Sequence, residues 1–133
     1  MQRLYQRMLH FETEPRRGYL YVSVTGELTV ADAENALLEV LAIAARQAQP
    51  RILIDCSRLQ AEWTPDDRYA VGTFLAAQVE RMAPQFPQTP RIAIYAVAPL
   101  MDPNRYMQTV ATNRGAQLRS SDSLQELLSW LGV

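Results

Sequence analysis

The stretch that decides the fold is residues 19–56, YLYVSVTGELTVADAENALLEVLAIAARQAQPRILIDC. Leu20, Val22 and Val24 alternate with Tyr21, Ser23 and Thr25, the period of a strand whose two faces meet different surroundings. Gly26 ends that run, and Thr29 offers a capping hydroxyl. Ala33, Leu37, Val40, Leu41 and Ala44 then recur at helical spacing, with Asp32 and Glu34 near the positive N-terminus. Pro50 stops the helix. Arg51 to Cys56 carries Ile52, Leu53 and Ile54, an apolar run suited to a strand buried on both faces. A helix between two strands implies a parallel crossover, right-handed by default.

Working outward, Leu4 to Glu12 reads as a strand and Glu14-Pro15-Arg16-Arg17-Gly18 as a turn, so the chain is expected to open with a hairpin. Downstream, Thr64-Pro65-Asp66-Asp67 starts a helix running to about Met82: a capping hydroxyl, Pro at the first helical position and carboxylates in the first turn. Pro84, Pro87 and Pro90 make a stiff connection to a strand over Arg91 to Val97, with Ile92, Ile94 and Val97 buried. Asp102-Pro103 opens a third helix by the same logic, with Tyr106, Met107, Val110 and Ala111 on its apolar side. Gly115 ends it, Ala116 to Arg119 suits an edge strand, and Asp122 with Gln125 can form a capping box for a helix bearing Leu124, Leu127, Leu128 and Leu131. The order ββαβαβαβα predicts an α/β fold: one mixed sheet with an opening hairpin and helices packed on it, a single domain over 1–133.

The totals fit this reading. A chain of 133 residues with 48% hydrophobic and 20% charged residues can bury one core without disulfides or metal. All 13 basic residues are Arg, and the net charge of -1 gives no nucleic-acid footprint; without Lys there is no Schiff-base or phosphate-loop amine. The single cysteine, Cys56, excludes an internal disulfide and a thiolate zinc site. Residues 1–10 carry no apolar run of signal-peptide length and no stretch is long enough to span a bilayer, so a cytoplasmic location and no integral membrane segment are expected.

The element order, with Gly26-Glu27-Leu28-Thr29 after the second strand, Asp55-Cys56-Ser57 at a strand end and Asp122-Ser123-Leu124 before the last helix, resembles the STAS fold of anti-sigma-factor antagonists over roughly Tyr5 to Leu131. The resemblance implies a STAS-like domain and a non-enzymatic regulatory or protein-interaction role. That family's phosphorylatable turn falls on Trp63-Thr64-Pro65-Asp66, where Thr64 keeps the hydroxyl but Trp63 replaces the acid and Asp66 the glycine. The chain is thus similar to divergent SpoIIAA-like members, with Thr64 a candidate phosphorylation site whose signature is otherwise lost.

Ligands and partners of open α/β sheets meet the carboxyl ends of strands, which points to the loop from Asp55 to Asp67. Its candidate partner- or ligand-binding residues are Ser57, Glu62, Trp63, Thr64, Asp66 and Asp67, with Arg58 alongside. Trp63 serves either as an apolar anchor for a partner or as a staple beside a capping Thr64. A phosphate on Thr64 would gain from the helix dipole and be opposed by Asp66 and Asp67. Glu62, Asp66, Asp67 and Asp102 match no calcium loop, and helix-end electrostatics accounts for two of them, so no metal is expected. His10 and Cys56 form no recognisable nucleophile and base, Ser57 and Ser120 have no elbow motif, and Arg105, Arg114 and Arg119 suit a solvated face; no catalytic residue and no cofactor are assigned. The expected partner is a protein or a second copy through the loop and the helix after it, where Tyr69, Val71, Phe74, Leu75 and Val79 exceed one apolar face. The alternative is a small apolar, lipid-like ligand between helices and sheet, lined by Trp63, Phe74, Met82 and Met107.

Overall fold

The computed structural model describes residues 8–133. Strands β1 (His10–Arg16), β2 (Tyr19–Thr25), β3 (Arg51–Asp55), β4 (Arg91–Tyr95) and β5 (Gln117–Ser121) form one sheet in that spatial order. Helices α1 (Val30–Arg46), α2 (Pro65–Met82), α3 (Tyr106–Asn113) and α4 (Leu124–Leu131) complete the expected order, with a short 3-10 turn, Ala83–Gln85, in the proline-rich connection. Only β1 and β2 are antiparallel; the pairs β2 with β3, β3 with β4 and β4 with β5 are parallel.

Strand order that never reverses has a consequence. Successive right-handed crossovers moving in one direction put every crossover helix on the same face. The main core accordingly gathers Leu20, Val22, Ile52, Ile54, Ile92 and Leu118 beneath α1, α2 and α3. Among the described residues the opposite face receives α4 alone, where Leu127 and Leu131 pack on Leu53 and Ala93 with Tyr21 and Tyr95 beside them. The crevice that doubly wound sheets use for nucleotides arises where strand order reverses, which does not occur among these strands.

The local signals explain the elements. Burial in β2 alternates as expected, and the buried residues of α1 are Ala33, Leu37, Val40, Leu41 and Ala44. Thr29 Oγ1 accepts the Asp32 N–H at the head of α1. Helix α2 is weakly one-sided because it lies between α1 and α3. Gly72 permits the second contact: a Cβ there would stand 3.0 Å from Met107 O and 3.1 Å from Val110 Cγ1. Val71, Leu75 and Val79 are buried and Phe74 packs on the main core, so the apolar excess of α2 is mostly used internally; Tyr69 alone of that set is exposed, beneath the Arg114 guanidinium.

Five local expectations shift, one of them in β5, which runs Gln117–Ser121 in place of the expected Ala116 to Arg119. The first strand runs His10–Arg16 instead of ending at Glu12, carrying Pro15 inside it opposite Leu20; the residues of the expected strand before Met8 lie outside the described residues. Pro is tolerated because β1 is the sheet edge, where one side of the backbone needs no ladder partner. Strand β4 stops at Tyr95, and Ile94 and Val97 are only partly buried. Helix α3 begins at Tyr106, since Asp102 closes a turn by accepting from the N–H groups of Asn104 and Tyr106, while Arg105 sits at φ 51°; Tyr106 itself is exposed. The cap of α4 is Ser123, whose Oγ accepts the Glu126 N–H, one residue beyond the expected Asp122.

Candidate functional site

The connection from β3 to α2 is fixed at both ends. At its start Asp55 Oδ1 accepts from Ser57 N–H at 2.9 Å and Ser57 Oγ at 2.6 Å, and Oδ2 accepts from the Tyr21 hydroxyl at 2.6 Å. Burial favours the neutral acid, but the Ser57 and Tyr21 bonds and the Arg58 charge outweigh it and hold the carboxyl below its ordinary 3.8. The Tyr21 phenol is raised, first by its bond to Asp55 and then by burial. Arg58 reaches back to Ser23 Oγ at 3.2 Å, and Leu59 is fully buried, pinning the middle of the loop to the core.

At its end lies a complete capping box. Thr64 Oγ1 accepts the Asp67 N–H at 3.1 Å, and Asp67 Oδ2 accepts the Thr64 N–H at 3.0 Å. The staple alternative for Trp63 does not form, because the fourth helical position is Arg68, whose Nη1 donates to Leu100 O at 2.8 Å. Trp63 packs on the main core instead. Cys56 lies in that core, where burial pushes its thiol up to about 12, so it holds no thiolate at neutral pH.

Two concavities meet at Trp63. An open groove of about 480 Å³ runs between Gly26, Glu27 and Leu28 on one side and Gln60, Ala61, Glu62 and Trp63 on the other. Behind it, a cavity of about 90 Å³ lies between sheet, α1 and α2, with Val24, Ala33, Ile54, Met101 and Met107 in its wall. Leu28 and Trp63 line both. Gly26 makes the turn on the near side possible: its φ is +103°, and a Cβ would collide with the Met8 carbonyl. Of the expected apolar lining, Trp63 and Met107 are present; Phe74 and Met82 are absent because both are packed elsewhere in the main core.

The candidate residues therefore divide. Glu62 and Trp63 face the groove; Ser57 serves Asp55; Thr64 and Asp67 cap each other; Asp66 is an exposed first-turn carboxylate. Among the described residues no three His, Cys, Asp or Glu side chains gather into a metal-holding group. Arg105 and Arg119 converge on Glu126 at 3.6 and 3.2 Å, whereas Arg114 donates to the Tyr69 hydroxyl. No helix among the described residues is long and apolar enough to cross a membrane.

No protein-family profile and no curated protein matches the chain. Among solved structures, the crystal structure of an anti-sigma factor antagonist from Mycobacterium paratuberculosis matches with a TM-score of 0.60 at 18% identity, covering 94% of this chain and 95% of that one. The fold is STAS-like. At that identity the likeness is one of architecture, and the loop chemistry above stands on this chain's own residues. Sequence reading found the loop, its cap and Trp63. It missed Tyr21 as the partner of Asp55, Leu59 as the pin, and the Gly26 to Leu28 turn as the opposite wall, because each depends on neighbours far apart in sequence.

Proposed function

We propose that this STAS-like domain is a non-enzymatic regulatory module that docks a protein partner through the loop of residues 55–67 and the start of α2. The carrying observation is the groove at the carboxyl end of the sheet, walled by that loop and the β2 to α1 turn and floored by Trp63. The solved neighbour, an anti-sigma factor antagonist, supports a regulatory role through its fold. Trp63 is half-buried in the groove, and Trp is a residue type enriched among binding hot spots. Thr64 acts here as a helix cap, and its phosphorylation would set a dianion beside Asp67.

A small apolar ligand is the second reading, favoured by the cavity wall. Its volume of about 90 Å³ falls below the roughly 300–1,000 Å³ of ordinary small-molecule sites, which argues against a lipid-sized occupant. A homodimer through pairing of the β1 edge is disfavoured by that strand itself, which carries Pro15, Glu12 and Glu14. The test places a photo-crosslinking residue at Gln60 and, as control, at Glu39 on α1, in cells that express the chain naturally. A partner captured at Gln60 alone, forming a stoichiometric complex when both proteins are purified, supports the reading; equal capture at both positions, or no complex from pure components, refutes it.

A further inference from the structure

The cavity behind Trp63 is too small for a lipid and well suited to one side chain. A cavity of roughly 150 Å³ takes a benzene ring, so about 90 Å³ corresponds to a branched aliphatic group. Its wall is adaptable, since Met101 and Met107 are unbranched and polarizable, and Trp63 and Leu28 line both the cavity and the groove. Among the described residues the charged linings on the groove side are Glu27 and Glu62, one on each wall and both exposed. An extended segment lying in the groove would pass between two carboxylates with an apolar hole beneath its middle.

We infer that the groove takes a basic segment of a partner protein, with one leucine-like side chain inserted past Leu28 and Trp63 into the cavity and Lys or Arg residues beside it facing Glu27 and Glu62. The inference rests on the interaction-module reading and specifies its partner. The apolar anchor supplies affinity because its burial removes apolar surface from water at a site already shielded. The carboxylates supply orientation and selection against acidic segments, an effect that weakens with salt.

The test is a titration of the isotope-labelled full chain, followed by amide chemical shifts, with three blocked pentapeptides: Arg-Arg-Leu-Arg-Arg, the same peptide with Ala in the centre, and Glu-Glu-Leu-Glu-Glu. The first should shift the amides of Gly26, Leu28, Gln60 and Trp63. Replacing Leu by Ala should weaken binding by about tenfold or more, following the methylene groups lost from the cavity, and the acidic peptide should not bind. Ala33→Leu, which fills the cavity from α1 without touching the groove, should abolish the difference between the Leu and Ala peptides while keeping the preference for basic flanks; Ala36→Leu serves if Ala33→Leu does not fold. Equal binding of the Leu and Ala peptides overturns the inference and leaves the docking role standing. Binding of the acidic peptide, shifts away from the groove, a lipid retained in native mass spectrometry, or a dimer closed over the groove each overturns it as well. Absence of any peptide shift overturns the inference, and together with no Gln60 crosslink it overturns the docking role as well.

Discussion

Replacing Asp55 by Ala tests whether the loop is held by one carboxylate. The substitution removes three hydrogen bonds to an ionised group, two from Ser57 and one from Tyr21. Such bonds contribute about 1.5–3 kcal/mol each when well shielded. Asp55 is only half-buried, so solvent competition reduces the sum to about 2–3 kcal/mol. With a urea slope of about 1–3 kcal/mol/M for a domain of this size, the unfolding midpoint should fall by on the order of 1–2 M. Tyr21→Phe should cost about 1 kcal/mol, and the double variant should cost less than the two singles together by a similar amount. The pH dependence has a definite sign. The folded carboxyl titrates below its ordinary 3.8, so its contribution is complete above that value and is lost as pH falls through the lower folded value. The raised Tyr21 phenol acts oppositely: its contribution is complete below its ordinary 10.0 and is lost as pH rises through the higher folded value. Chemical denaturation from about pH 2 through pH 7 to above about pH 10, followed by circular dichroism, reads the acid and the alkaline limb alike. Strict additivity of the two substitutions, or a loss below about 0.5 kcal/mol for Asp55→Ala, would refute the reasoning.

Thr64→Ala removes the cap of α2 and should lower stability by about 1 kcal/mol, with Thr64→Ser retaining most of it in the same denaturation assay. Gly26→Ala combines a left-handed backbone with a collision at the Met8 carbonyl, so a loss of about 2–4 kcal/mol is expected and a melting temperature within 2 °C of the parent, by about the usual conversion, would contradict it. Cys56 should resist iodoacetamide at pH 8 in the native protein and react readily once unfolded in urea, since its thiol is pushed up to about 12; rapid labelling of the folded chain would show that the core around it opens.

Much of the fold was legible because its signals are local. The alternation in β2, the apolar spacing of α1 and the Thr64-Pro65-Asp66-Asp67 start of α2 each depend on residues within a few positions, and all three stand as read. The misplacements arose where tertiary position reassigns a local signal. Pro15 marks a turn in isolation and is accommodated in a strand only because β1 lies at the edge. Asp102-Pro103 looks like a helix start until the Asp102 carboxylate binds the N–H groups of Asn104 and Tyr106 and delays it.

For the site, the sequence by itself determined that residues 55–67 join a buried strand to a capped helix and carry Trp63 at the carboxyl end of the sheet, as either a partner anchor or a staple. Only the tertiary structure decided what that stretch faces. Sequential strand order placed α1, α2 and α3 on one side, and parallel pairing of β2 with β3 brought Gly26, Glu27 and Leu28 opposite Gln60, Glu62 and Trp63. It also set Tyr21 beside Asp55, 34 residues apart in the chain. Hydrophobic period and capping fix each element from its own neighbours, whereas register and crossover direction fix which distant residues meet, and the groove exists only where they do.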